Sequence, residues 1–435
     1  MKRRDFLKMS SQGVLGTSML LSGSMAVSAQ DTPNVKKTRV AMIGVGGRGQ
    51  GHTHTLSSLF PDVEIVAVCD LYKDRAVSAA AVCAKNQTLE PKIYADGPDR
   101  WKELLEKETL DAVIISTYWD SHAAISEAAL KKGIYVGCEV PIALSVDECW
   151  KLVEASEKYK TPCMMLENWS FRQDNLALLN MIRAGLFGDM IHSHCAHSHD
   201  CIDHWFFSSN DGKDRWPAEY LRKYNRDYYP THSLGPVLSW LDINVGDRFT
   251  EIYSTASASL GINAMMKRKF GPDHPSATET FKQGDIVTST LKTAMGKTVV
   301  INLDMQLPRP YSNRWLVQGT LGVYDEEKGS IYLTGQSPKY HEWEPWAPYQ
   351  EKYNHQYWKS AAQGGHGGTD YIELRLLMDS VQNKSEAPLD VYDSVVMSAV
   401  VELSGLSIAK NQPVEFPDFT KGAWKTRKPY FGVTG

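Results

Sequence analysis

The sequence predicts an α/β chain in which a doubly wound parallel sheet is followed by an α+β domain built on a mostly antiparallel, open sheet. Three observations predict it. Residues 40–51 run from an apolar strand through glycines (Gly44, Gly46, Gly47, Gly49) into a segment able to form a helix. Short apolar runs then alternate with helical periodicity as far as residue 167, the pattern of successive βαβ units. Past residue 168 the runs lengthen and alternate apolar with polar, as strands with one solvated face do.

Taken in order, Lys2, Arg3 and Arg4 precede a weakly apolar stretch at 13–25 and the small residues Ala26, Val27, Ser28 and Ala29. Basic, apolar and small-residue regions in that order make 1–29 a secretory signal, and the paired arginines resemble the twin-arginine type. The mature chain is expected to be periplasmic or secreted. After the first strand and the helix expected at 52–60, residues 64–70 read as a second strand ending in Asp70, about 20 residues beyond Gly49. The two halves make a dinucleotide fingerprint. Gly44 permits the tight turn, Gly46 lets the backbone approach a pyrophosphate, and Gly49 lets helix and strand pack closely. Phosphates sit at the helix N-terminus, and an acid at the second strand tip accepts from a ribose hydroxyl while repelling a 2′-phosphate, which favours NAD over NADP.

Helices follow at 73–86 and 101–108, a buried strand at 111–116, a helix at 122–132 stopped by Gly133, and a strand at 134–139. The helix at 145–159 starts acidic and ends basic, as its dipole prefers, and 161–167 is the last parallel strand. Residues 30–167 therefore form the nucleotide-binding domain. Its strands deliver 117–122, Glu139-Val140 and Glu167-Asn168-Trp169 to the crevice at their carboxyl ends. The second domain, 168–435, opens with a helix at 176–184. It continues with strands at 190–199, 251–258, 286–293, 297–305, 315–318 and 330–333, and closes with helices at 370–382 and 393–409 that pack back on the first domain.

Composition sets outer bounds. With 42% hydrophobic residues, 23% charged and a net charge of −4, the chain has no nucleic-acid footprint. No apolar run after the signal reaches the roughly 18 residues of a membrane helix, so no span is expected in the mature chain. Seven cysteines without a C-x-x-C pair read as packed thiols. The histidines 192, 194, 197 and 199 invite a metal reading, but in a strand the first two face one way and the last two the other. Four ligands do not converge, no metal is expected, and a sugar-binding sheet face is favoured. The strongest catalytic segment is Tyr229-Pro230-Thr231-His232. Pro230 stiffens the turn, the imidazole can act as base and acid at neutral pH, and the phenol can donate to a developing oxyanion.

Gly44 to Gly49, Asp70, the 119–122 turn and Glu139-Val140-Pro141 resemble the Gfo/Idh/MocA oxidoreductases, whose first domain is a Rossmann fold. More narrowly, the chain resembles glycoside hydrolase family 109, the NAD-dependent α-N-acetylgalactosaminidase type, along nearly all of its mature length. The stretches 176–188, 229–236, 271–275, 308–312, 365–368 and 416–426 carry that likeness. The resemblance implies that Gly46, Gly47, Arg48, Asp70, Trp119, His122, Glu139, Val140, Asn168 and Tyr229 contact NAD. It implies that Tyr229, His232, Tyr311 and His197 contact the sugar. Val140 stands where the wider family carries a catalytic lysine, which favours the glycosidase branch. The implied reaction takes hydride from sugar C3, eliminates the aglycone across C1 and C2, adds water and returns the hydride. Such a closed cycle suits an enzyme carried across a membrane with its cofactor. Phe171, His197 and Pro217 stand where the family pattern leads one to expect tyrosine, tyrosine and arginine, and are expected to alter the sugar pocket. A cofactor-retaining sugar oxidoreductase and a non-catalytic carbohydrate-binding protein remain as other readings. A small carbohydrate or glycoside is the expected partner, with self-association through the C-terminal sheet.

Overall fold

The computed structural model describes residues 37–359 and 364–432; the secretory signal expected at 1–29 lies outside them. Six strands, β1 (Thr38–Ile43), β2 (Val63–Asp70), β3 (Lys92–Ala95), β4 (Ala112–Ile115), β5 (Tyr135–Cys138) and β6 (Cys163–Met165), form one parallel sheet in the order β3-β2-β1-β4-β5-β6. Its strands are short and buried nearly throughout, because helices cover both faces. Those helices are α1 (Gly47–Leu59), α2 (Lys73–Asn86), α3 (Arg100–Lys107), α4 (Trp119–Leu130) and α5 (Val146–Tyr159). The order reverses between β1 and β4, the place where an open α/β sheet leaves a ligand crevice.

The second sheet has nine strands: β7 (Met190–Ser198), β8 (Phe249–Ala256), β9 (Ile286–Thr293), β10 (Thr298–Asp304), β11 (Leu316–Gly319), β12 (Gly322–Asp325), β13 (Ser330–Leu333), β14 (Glu344–Pro345) and β15 (Val414–Glu415). Their order is β14-β13-β12-β11-β7-β10-β9-β8-β15, antiparallel except where β7 runs parallel to β10. The fold class expected from the sequence is the one observed. Between the strands lie α6 (Gln173–Arg183), α7 (Ala218–Lys223), α8 (Thr231–Trp240), α9 (Gly261–Phe270), α10 (Ala347–Lys352), α11 (Thr369–Asn383) and α12 (Val391–Lys410).

Most expected elements appear within a few residues of their bounds, and the differences have local causes. Helix α1 starts at Gly47 rather than at 52, because its first turn is the glycine-rich stretch itself and carries no apolar signal. Helix α4 starts at Trp119, which puts both Trp119 and His122 on its first turns. Strand β3 and helices α7, α8 and α9 were not expected. Helix α8 holds Gly235 and Pro236, residues that argue against a helix unless the chain around them packs, and Leu234, Val237, Leu238 and Trp240 do pack.

The C-terminal helices dock on the parallel sheet. Helix α12 is long and apolar enough to cross a membrane by length and composition, with 72% of that stretch buried, and it serves as a core helix here. Its serines accept from orphan main-chain N–H groups: Ser394 Oγ from Met165 at 2.9 Å and Ser398 Oγ from Ile142 at 3.2 Å, while Glu402 accepts from Val146 at 2.7 Å.

Candidate active site

A cavity of 1320 Å³ opens at the β1/β4 switch point and runs across to β7 and α8. Its floor is the turn after β1. Gly44 has φ +83° there, and a Cβ on it would lie 2.5 Å from the Ser116 carbonyl carbon, so only glycine fits. A Cβ on Gly49 would come within 2.0 Å of the Gly44 oxygen, whereas one on Gly47 would meet nothing within 4 Å, which leaves the N-terminus of α1 open to an anion. Asp70 closes one side. Its Oδ2 accepts from Val45 N–H at 2.8 Å and its Oδ1 from Tyr72 N–H at 2.9 Å, which fixes the carboxylate with lone pairs to spare.

Arg48 lines the cavity but turns its guanidinium into the protein. Nε reaches Glu139 Oε1 at 2.5 Å and Nη1 reaches Asp370 Oδ2 at 2.6 Å, and His52 Nε2 meets the same Glu139 oxygen at 2.7 Å. Burial opposes charge on Glu139, but Arg48 and His52 outweigh it and hold that carboxyl far below the usual range. Glu139 is therefore a committed anion. Trp119 Nε1 donates to the Val140 carbonyl at 3.1 Å, and the His122 ring spans the carbonyls of Pro141 (2.8 Å) and Thr117 (3.1 Å). Both side chains fix the loops after β4 and β5. Asn168 donates to Asp370 Oδ1 at 2.9 Å, while its own buried Oδ1 has no partner among the described residues.

The expected catalytic pair meets. Tyr229 Oη and His232 Nε2 are 3.2 Å apart, with His232 on the first turn of α8. A third member, expected from the sequence at the crevice but not as a partner of this pair, is the fully buried Glu167, whose Oε1 accepts from His232 Nδ1 at 2.7 Å. Glu167 is itself held by Trp169 N–H, Ser170 N–H and Ser170 Oγ, because it caps the 3-10 turn Asn168–Phe171. Helix α8 approaches so closely that a Cβ on Gly235 would lie 1.9 Å from Glu167 Oε2. The carboxylate favours the tautomer of His232 with its proton on Nδ1, which leaves Nε2 able to accept one. Burial raises the Tyr229 phenol well above its ordinary value, so it stays protonated.

His197, buried on β7, places its ring 5.0 Å from Tyr229 and 5.5 Å from His232, and burial first, then His232 and His199, keep it neutral. Tyr311 stands 5.6 Å from His197 on the open side. Trp169, expected at the crevice from the end of the last parallel strand, lines the cavity, as do Trp205, Arg215 and Trp216, for which loop positions gave no sequence signal. Two expectations are corrected. Phe171 is fully buried with its ring 5.3 Å from Phe431, outside the cavity, because the 3-10 turn points it into the core. Pro217 precedes the short helix α7 and is likewise outside, while its neighbours Arg215 and Trp216 face inward.

Residues 38–167 match the family model described as the oxidoreductase family, NAD-binding Rossmann fold, and 171–426 match glycosyl hydrolase 109, C-terminal domain. The chain is 38% identical to a glycosyl hydrolase family 109 protein of Stenotrophomonas maltophilia (strain K279a), covering 100% of this chain and 99% of that one. It is 37% identical to an alpha-N-acetylgalactosaminidase of Tannerella forsythia, covering 99% of each. An NAD binding oxidoreductase of known structure from Klebsiella pneumoniae shares the fold, with a TM-score of 0.68 over 88% of this chain and all of that one at 16% identity. The glycine cradle, the fixed Asp70 and the unpartnered Asn168 oxygen fit NAD.

Proposed function

The chain belongs to glycosyl hydrolase family 109, and we propose that it is an exported glycosidase that cleaves by transient oxidation at C3 of the sugar, elimination across C1 and C2, addition of water and re-reduction. Bound NAD supplies the hydride acceptor and donor at C3, so net hydrolysis consumes no cofactor. Gly44, Gly46, Gly47, Arg48 and Gly49 at the start of α1, with Asp70, hold its phosphates and ribose. Trp119, His122, Glu139, Val140, Asn168 and Tyr229 border the nicotinamide end.

The chain's own groups carry the protons. His232 Nε2 takes the proton from C2, because Glu167 holds the opposite ring nitrogen protonated and stabilises the imidazolium that forms. Tyr229 Oη, protonated at neutral pH, donates to the oxygen on C3, where the enolate charge gathers. His197 and Tyr311 bind the ring from the β7 side.

The observation that carries this reading is the Tyr229–His232–Glu167 chain, in which a phenol, an imidazole and an orienting carboxylate are linked by hydrogen bonds. Glu139 is tied to Arg48 and His52, and Glu167 to His232, so neither glutamate is free to serve the two-carboxylate route of most glycosidases. Its test is hydrolysis of aryl α-N-acetylgalactosaminides and other aryl glycosides in deuterated water. Deuterium at C2 of the released sugar is the expected result, and release without it overturns the mechanism. An oxidised sugar with its aglycone still attached favours plain redox exchange. The open face of the nine-stranded sheet, where Tyr253 and Thr290 are exposed, is where we place a self-association surface, tested by the mass of the protein in solution.

A further inference from the structure

The strand arithmetic that separates the β7 histidines stops where β7 stops, at Ser198. Three residues past that point, His199, Cys201 and His204, converge at the side of the cavity, with ligand atoms all within 4.8 Å of one another. A tetrahedral ion with bonds of about 2.0–2.3 Å needs edges of about 3.3–3.8 Å, a closure within reach of the exposed His204 ring. Main-chain bonds fix the loop: His199 N–H donates to Asp304 O at 2.9 Å and Cys201 N–H to Met305 O at 3.1 Å. A π-helical turn, Ile202–Phe206, then brings His204 back over Cys201, and such turns concentrate at functional positions.

Two further observations point to a ligand. Among the described residues, neither the His199 ring nor the Cys201 thiol makes a hydrogen bond, although Cys201 is buried. His204 Nδ1 lies 3.6 Å from Asp203, which Lys269 holds at 2.7 Å, so one ring nitrogen faces a carboxylate while the other is free. A carboxylate behind a histidine is the arrangement that orients metal ligands.

We propose that His199, Cys201 and His204 form a mononuclear zinc site on the cavity wall, with its fourth position open to water or to a substrate oxygen. One thiolate and two imidazoles suit a borderline-soft divalent ion, and three protein ligands leave the open position of a reactive site rather than a structural one. On binding, the Cys201 S–H bond breaks, its proton passes to solvent and the sulfur–zinc bond forms. The cation supplies the countercharge that the buried sulfur otherwise lacks. The site stands beside His197 rather than on His232, with the His197 and His199 rings 6.1 Å apart, so it is distinct from the proton-transfer chain.

The test uses the NAD-loaded protein, stripped with a chelator and dialysed against zinc, with metal per chain read by elemental analysis. About one zinc per chain is expected, and cobalt in its place is expected to give a thiolate charge-transfer absorption. C201S should abolish that absorption and, like H204Q at the exposed ligand, lower zinc affinity by at least about tenfold. H192A, whose ring lies on β7 against Thr298, should change nothing. NAD content and melting temperature, followed in parallel, report folding separately from metal. Fewer than about 0.1 zinc per chain at saturating zinc, or full occupancy in a folded H204Q, overturns the site. Uptake of copper with zinc excluded overturns the choice of ion. Aryl glycoside hydrolysis is scored independently, so a missing metal and a missing glycosidase are told apart.

Discussion

Glu167 illustrates how a single side chain sets the chemistry of its neighbours. Buried and held by three donors from the Asn168–Phe171 turn, it gives His232 one tautomer and one orientation. H232A should abolish turnover while NAD stays bound, read by steady-state assay and by the NAD content of the purified protein. E167Q should lower kcat by about 10²–10⁴-fold, the range for losing an orienting carboxylate or a general base. The loss should fall on kcat rather than on KM, whereas a packing defect would move both. G235A should approach E167Q in kcat and lower the melting temperature as well, since its methyl group would displace the Glu167 carboxylate. D70A should weaken NAD retention, because the ribose loses its acceptor and the loop after β1 loses its Val45 tether.

At the scale of elements, α12 does the work of joining the two sheets, and it does so through polar atoms inside an apolar interface. Ser394 and Ser398 take N–H groups from β6 and from the loop after β5, so S394A and S398A should each cost about 1–3 kcal/mol, the price of a buried donor left unmade. Chemical denaturation measures the loss, and kcat should hold within about threefold. The sequence announced α12 by its apolar run but not its serines' partners, because those partners are main-chain groups more than 200 residues away. The same division holds elsewhere. Glycine spacing and the acid closing β2 made the nucleotide crevice readable, since local chain geometry dictates both. Tyr229 and His232 were readable from their closeness in sequence, and the helix that begins between them and carries His232 was not, since packing overrides Gly235 and Pro236. Phe171 was misplaced because position in a motif does not say which way a 3-10 turn points a ring.

For the whole molecule, buried acids of opposite tendency shape stability against pH. Asp227 is fully buried, and burial pushes its carboxyl up to about 7; burial, then Asp390, raises Asp393 as well. A carboxyl raised in the folded state binds its proton more tightly there than in the unfolded chain. The stability it contributes is complete below the unfolded value near 4 and is lost as pH climbs through about 7. Glu139 and Asp370 run the other way. For both, burial is outweighed, by Arg48 and His52 for Glu139 and by His366 and Arg48 for Asp370, and their contribution, complete above about 4, disappears only in strong acid. Buried histidines held neutral, such as His122 and His197, pull the other way as pH falls below about 6.5, so the acids are read by difference: between pH 5 and pH 8 the melting temperature of D227N with D393N should fall less, or rise more, than that of the parent protein. An identical change in parent and double variant would contradict the assignment.

Strand β7 is hydrogen-bonded along both edges, parallel to β10 and antiparallel to β11, and its odd and even positions serve different masters. His192 and His194 join a polar row with Thr298 and Asn302, while His197 enters the chamber. Inserting or deleting one residue at its start would trade the two sets wholesale, and neither flank could slide to absorb the slip. Among relatives, length variation should accordingly fall in the hairpins around this ribbon and spare the ribbon itself.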